Sequence, residues 1–430
     1  MLEKFTPNQR LLVAVALSFA FFIGYTTIFP PKASNNDTNV TKALEAKEAS
    51  VSKPSTEPIQ SASSAPVDVK TVSTDTLTTI TAKEFTLKID TLGRIASVIL
   101  SDKKHNGKDG KLSELIPAVG AKPLQIRFAD EALEAAAAKT PYTTNTTNIV
   151  LGENGKSTLT LTQNLPEMTV VKTVTFFADG HYEAKISLSN EKRYSLYLGQ
   201  HPQIIEQMMT VVGGMVYSGD NLTTIFKDGD VEGRSLFTDV HLISAFDQYY
   251  ATMMYGFDPA TQITVERDVK NNPLIYLEGT QNFTFNGYIG PKDHKALAAI
   301  DPVLPHAIEY GWFTFVAAPI FKVLMWLHGI FGNWGWSIIA LTILIRILLY
   351  PLTYKGMVSM QKIKEIAPRI KEVQEKYKGD PARMNAAVME MYKKHGANPL
   401  GGCLPLILQI PVFFAIYRVL LNAVELQGAP

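Results

Sequence analysis

The sequence predicts a multidomain membrane protein: a large antiparallel β-sandwich outside the cytoplasm, an α-helical transmembrane bundle and a cytoplasmic helical hairpin. Three observations carry this. Apolar residues make up 46% of the 430, and they concentrate at the two ends of the chain. The middle alternates apolar and polar residues with the period of strands. A basic stretch with helical spacing separates the last two apolar runs. The formal net charge of +1 excludes a nucleic-acid binder, which needs a basic excess against phosphate. Cys403 is the only cysteine, so an intrachain disulfide is excluded, and no cysteine–histidine zinc cluster is present.

Residues 1–31 are expected to form a transmembrane anchor. Leu11 to Phe29 is an apolar run of nineteen residues, enough to span a hydrocarbon core of about 30 Å. A cleaved signal peptide is the rival reading, but bulky Tyr25 to Phe29 and Pro30-Pro31 replace the small residues a cleavage site needs. Lys4 and Arg10 keep the N-terminus in the cytoplasm. Residues 32–75, rich in Ser, Thr, Ala, Asn and Pro, bury too little surface to fold and read as a flexible extracytoplasmic tether. Residues 76–305 read as the β-domain. Phe85, Leu87 and Ile89 alternate, as does Val170 to Phe176, which is followed by a turn at Asp179-Gly180 and a strand from Tyr182 to Leu188. Glu131 to Lys139 is the main helical interruption.

All four tryptophans fall between Trp312 and Trp336, and tryptophan collects at membrane interfaces. Tyr310 to Phe331 is long enough to cross, but charge parity decides otherwise. Lys355 to Lys394 carries ten Lys or Arg against five Asp or Glu and must stay in the cytoplasm. Residues 306–332 are therefore expected to lie along the outer surface as an interfacial helix, with Pro319 and Lys322 interrupting its apolar face. Residues 333–354 then form a second transmembrane helix, and 355–399 a coiled-coil hairpin. Ile363, Ile366, Ile370, Val373 and Tyr377 supply one seam. Gly379 ends that helix, Asp380-Pro381 starts the next, and Met384, Val388 and Met391 continue the pattern. Residues 400–430 form a third transmembrane helix running outward.

Arg346 lies inside the most apolar stretch, Trp336 to Tyr350. A guanidinium keeps its proton, so at that depth it is solvated, paired or used. It lies about 13 Å along the helix from Lys355, too far for simple snorkelling to the cytoplasmic edge. No carboxylate occurs within either neighbouring apolar helix before Glu425. The reading is a water-exposed functional group. Gln409 lies at comparable depth on the returning helix, either lining the same cavity or serving as interhelical glue beside Pro411. Arg418 lies either in that cavity or near the outer interface.

Catalytic chemistry finds no support. The histidines show no HExxH or paired spacing, no GxSxG elbow occurs, and Gly107 to Lys111 is no P-loop. Asp228-Gly-Asp230-Val-Glu232-Gly233, with Asp239, imitates a calcium loop but is flanked by strand patterns, and reads as a polar β-turn. The hairpin's positive excess serves equally to fix topology, to hold anionic lipids or to meet a ribosome or targeting receptor.

At Asn333 to Ile339, Arg346, Tyr350-Pro-Leu-Thr353, Asn398 to Cys403, Gln409-Ile-Pro411 and Val424-Glu-Leu426 the sequence closely resembles the YidC family of bacterial membrane protein insertases. The likeness extends through Tyr288 to Pro291, Tyr310-Gly-Trp312 and Pro319 to Lys322 into the β-domain and first helix. The resemblance implies a multi-pass inner-membrane insertase and chaperone, acting alone or with the Sec translocon on nascent inner-membrane proteins. It implies no ATP hydrolysis, cofactor or metal. It also implies a hydrophilic groove open to cytoplasm and lipid, with Arg346, Gln409, Arg418, Tyr350 and Tyr417 as its expected residues. The periplasmic domain is expected to be a supersandwich similar to sugar mutarotases, and further membrane helices are expected beyond Val424. The alternative function is a membrane-anchored periplasmic protein that binds or modifies carbohydrate.

Overall fold

The structure is a computed structural model that describes residues 75–105, 112–204, 210–219, 222–308, 314–396 and 404–428. The chain divides into two compact units, 1–55 and 56–430, and every described residue belongs to the second. The expected anchor and nearly all of the expected tether lie outside the described residues.

Three sheets build the β-domain. The nine-stranded sheet has the spatial order Thr223–Lys227, Gly213–Ser218, Val240–Phe246, Tyr250–Tyr255, Phe283–Pro291, His181–Leu188, Thr169–Phe177, Lys156–Asn164, Thr143–Thr144. A five-stranded sheet runs Arg234–Phe237, Gln262–Arg267, Pro273–Gly279, Tyr194–Tyr197, Ile126–Phe128, and a four-stranded one Ile95–Leu100, Phe85–Asp90, Thr76–Thr81, Asn148–Val150. Among the described strands one pairing departs from the antiparallel expectation: Thr76–Thr81 lies parallel to Asn148–Val150, with Ile80 opposite Ile149. The long intervening chain makes that possible, since parallel neighbours need a crossover.

The period-two pattern has its cause in burial. In Thr169–Phe177 every second side chain, from Val170 to Phe176, is buried in the core shared by the three sheets, and the others meet solvent. Gly213–Ser218 and Tyr250–Tyr255 are buried on both faces. Val216, Tyr250 and Met254 join the shared core. Met215, Tyr217, Ala251, Met253 and Tyr255 face a second core roofed by helices. Gly287 serves close packing: a Cβ there would stand 2.1 Å from Tyr182 Cζ, so only glycine admits that buried ring.

Lys172 occupies a core position of the alternating strand and is 1% exposed. Its Nζ donates to the carbonyls of Gly93 and Leu124 at 2.9 and 2.8 Å, and lies 4.5 Å from the Tyr142 ring centroid. Burial pushes its pKa down to about 7. Nearby, buried Arg94 meets Asp90 at 2.7 Å, and Asp90 Oδ1 also accepts the Leu92 and Arg94 amides at 3.0 Å.

Helix α1 (Glu131–Ala137) is capped by Asp130, whose side chain accepts from two first-turn amides. Helix α2 (His294–Ile300), capped by Asp293, and a 3-10 turn at Leu304–Ala307 occupy a stretch the sequence reading leaves within or beside the strands. Helix α3 (Thr314–Phe331) buries Ala317, Phe321, Leu324 and Leu327. Each large side chain so buried contributes about 1.5–3 kcal/mol. Pro319, Lys322 and Trp326 lie on its exposed side.

Helix α4 runs without interruption over Trp334–Lys376, about 64 Å at ~1.5 Å per residue. The boundary expected at 354/355 is thus a change of polarity and not of structure. Polarity alone does not end a helix; caps and breakers do, and Pro351 is accommodated within it. Helix α5 (Pro381–Lys394) starts where the Asp380 side chain accepts the Arg383 amide at 3.1 Å. It folds back so that Val388 and Met391 meet Ile366 and Ile370 of α4. Helix α6 (Leu404–Asn422) returns, and its Ala415 and Val419 join Leu341 of α4 and Leu324 of α3 in the second core.

Candidate functional site

Helix α4 turns its apolar part outward. In its most apolar window only 11% of residues are buried inside the protein, so it is not the core helix of a soluble domain. Among the described residues it is the only helix long and apolar enough to cross a membrane; the apolar spans Val316–Phe331 and Gln409–Asn422 are shorter. Its packed seam passes through Ser337, Leu341 and Ile345.

Arg346 leaves the helix about 100° round from Ile345, and its side chain is exposed. Thr342, Arg346, Tyr350 and Tyr354 recur every four residues along that face, and the Tyr350 and Tyr354 ring centroids lie 6.1 Å apart. Exposed Ile343, Ile347 and Leu348 flank the guanidinium. Among the described residues no hydrogen bond or ion pair engages it. It is a fixed cation with five donors on an otherwise apolar surface.

On α6 the exposed line is Gln409, Phe413 and Tyr417, on a different face from packed Ala415 and Val419. Arg418 is half-buried, turned nearer the packed side, and engaged within the chain. The structure therefore gives Arg346 and Tyr350 one exposed face, and Gln409 and Tyr417 another, with Arg418 apart. Among the described residues Arg346 makes no hydrogen bond to the other four.

Helix α4 starts against α3, and α6 ends against the β-domain. At the outset of α4, Trp334 stacks on His328 of α3 at 3.8 Å, while Asn333 caps the helix. At the end of α6, Gln248 Nε2 donates to the Leu421 carbonyl at 2.6 Å, and the His294 amide to Glu425 Oε1 at 3.0 Å. Tyr250 Oη donates to Gln427 Oε1 at 3.2 Å, beside His105 Nδ1 at the same distance. Burial raises the pKa of Glu425 and lowers that of His105. A cavity of about 240 Å³ opens here, lined in part by Lys104, Asp293, Lys295, His328, Trp334 and Glu425. Sequence reasoning missed this junction because its residues come from five separate stretches of chain.

The calcium-loop look-alike is a turn leading into strand Arg234–Phe237. Asp228 Oδ2 is taken by His201 Nε2 at 2.7 Å; burial lowers the His201 pKa, but the bond to and charge of Asp228, with the Pro202 carbonyl and Asp247, together outweigh it and raise the pKa. Among the described residues no group of three metal-ligating side chains exists.

The family model described as "60Kd inner membrane protein" matches residues 326–430, and that of the YidC periplasmic domain matches residues 77–323. The membrane protein insertase YidC of Campylobacter jejuni is 42% identical over 426 residues, covering 98% of this chain and 80% of that one. The YidC of Wolinella succinogenes is 41% identical over 433 residues, covering 99% and 80%. That of Helicobacter pylori is 40% identical over 455 residues, covering 100% and 82%.

Proposed function

The chain belongs to the YidC family of membrane protein insertases, and from that membership we propose how it moves a nascent protein into the bacterial inner membrane. It is an inner-membrane insertase with a periplasmic domain. In this reading α4 and α6 cross the membrane, the α4–α5 hairpin projects into the cytoplasm, and the β-domain is a periplasmic supersandwich. The Trp334 end of α4 stacks on α3, which shares the second core with the β-domain, and the Asn422 end of α6 bonds the β-domain directly; both support that topology.

The observation that carries the mechanism is the exposed guanidinium of Arg346, which has no partner among the described residues and is the one charged group in the apolar half of α4, 334–354. An isolated cation in hydrocarbon is costly, so its face draws water inward and shortens the dry path that a polar tail must cross. The guanidinium then offers charge-assisted hydrogen bonds to carboxylates and carbonyls of that tail. Gln409, Tyr350 and Tyr417 add neutral hydrogen-bonding groups, and Arg418 lies toward the outer end. The substrate's apolar segment leaves sideways into lipid, driven by hydrophobic transfer. No bond is made or broken. The Sec translocon, and a ribosome or targeting receptor at the hairpin, are the further partners this reading assigns.

A photo-crosslinker placed in turn at 346, 350, 409, 417 and 418 tests it against a stalled nascent membrane protein. Adducts from 346, 350, 409 and 417 are expected to be strong and to fade as the segment lengthens and is released. Adducts confined to the hairpin or the β-domain would overturn the groove.

A further inference from the structure

The cavity between the β-domain and the helix ends is charged in both signs and incompletely paired. Lys104 and Lys295 line it as cations, Asp293 and Glu425 as anions. Among the described residues the ion pair of Lys104 is a loose, exposed one to Asp102 at 3.4 Å, a geometry of little energetic weight. Lys295 is exposed and makes no side-chain ion pair among the described residues. Asp293 spends one oxygen on the α2 amides. Glu425 accepts the His294 amide at 3.0 Å; burial raises its pKa, the backbone amides and the charge of Lys295 oppose that, and among the described residues no ion pair joins Glu425 to a cation. Among the described residues His328 Nδ1 is buried there without a hydrogen-bond partner.

Size and position narrow the occupant. About 240 Å³ far exceeds the ~10–15 Å³ one water needs, yet lies below the ~300 Å³ where drug-sized pockets begin. Trp334 forms part of the wall, and Trp326 and Trp336 nearby are 62% and 64% exposed. Tryptophan in that state marks the headgroup level of a bilayer. The side is fixed by the β-domain, so the neighbouring lipids are those of the outer leaflet, a step that rests on α4 being a membrane crossing.

We propose that this cavity seats the zwitterionic headgroup of an outer-leaflet phospholipid, its phosphate held by Lys104 and Lys295 and its primary ammonium by Glu425 and Asp293. A headgroup bound there ties the β-domain to the membrane surface beside α4 and α6.

Native mass spectrometry of the full chain, in micelles with equal amounts of phosphatidylethanolamine and phosphatidylglycerol, reads the preference directly. The protein is expected to retain phosphatidylethanolamine about fivefold over phosphatidylglycerol. Glu425→Gln should abolish the preference, and Lys295→Ala should lower retention of both lipids. Hydrogen exchange across Thr169–Phe177 reports that each variant remains folded. Equal retention of the two lipids, or an unchanged preference in both folded variants, overturns the proposal. Soluble phosphoethanolamine is the control for source: protection of the 291–296 and 424–428 amides as complete as that given by the lipid would place the site outside membrane binding and also overturn it. None of these readouts depends on insertion, so their failure leaves the role of Arg346 untouched.

Discussion

Lys172 and Arg346 are both cations set among apolar residues, and the molecule treats them in opposite ways. Lys172 is sealed inside the β-domain, with two carbonyls and an aromatic face satisfying its ammonium. Arg346 projects from an apolar helix with no partner among the described residues. A buried charge that is fully hydrogen-bonded belongs to the architecture, whereas one left open is available to something that arrives later. Inside the β-domain, Lys172 therefore serves the stability of the fold. The helical part holds a charge in reserve for a substrate.

The sharpest way to break this contrast is to cut the buried ion network. Asp90→Ala breaks the buried ion pair to Arg94 and removes the acceptor of the Leu92 and Arg94 amides, and should cost about 3–5 kcal/mol, seen as a drop in the denaturant midpoint of the β-strands in the intact chain. The pH profile comes next. Lys172 has a folded-state pKa lowered to about 7 from 10.5, so the unfolded chain binds more protons between those values. Stability should then rise with pH from 7 toward 10, by up to ~1.4 kcal/mol per unit, and level off below 7. Asp90, Arg94 and Tyr142 are the groups that surround it, and the rise should vanish in Lys172→Met. That substitution should itself cost about 1–3 kcal/mol by leaving two carbonyls without their donor, measured by hydrogen exchange of Thr169–Phe177. Arg346→Ala should change the same exchange by less than ~0.5 kcal/mol, as for a surface group with no partners. The smallest effect is expected at Gln409→Ala, where insertion should fall less than about twofold because a neutral amide makes weaker bonds than a guanidinium. An equal loss at Gln409 and Arg346 would remove the special status of the charge.

Much of this contrast was legible in the sequence. Arg346 stands out because it is the one charged residue in the stretch from Trp336 to Tyr350, and Val170, Val174 and Phe176 set a parity that Lys172 shares. The expected hairpin turn coincides with the cap at Asp380 because caps act locally. The strands at 213–218 and 250–255 gave no alternation since helices cover their outer face, and that cover is a tertiary fact. Helix α2 was overlooked despite its Asp293 cap because seven residues hold too few turns for a periodic signal. The continuity of α4 was hidden by its change of polarity. The junction cavity had no local signature at all, since Lys104 and Glu425 come to line one cavity only after the chain folds.

The central claim is that Arg346 serves the substrate and not the fold. Insertion into proteoliposomes should be compared for two substrates sharing one apolar segment, one with a short acidic translocated tail and one without polar residues. Arg346→Ala is expected to slow the acidic-tailed substrate about tenfold, the factor for ~1.4 kcal/mol, and the apolar one less than about twofold, with Arg346→Lys between. Equal rates for both substrates across all three proteins would contradict the account.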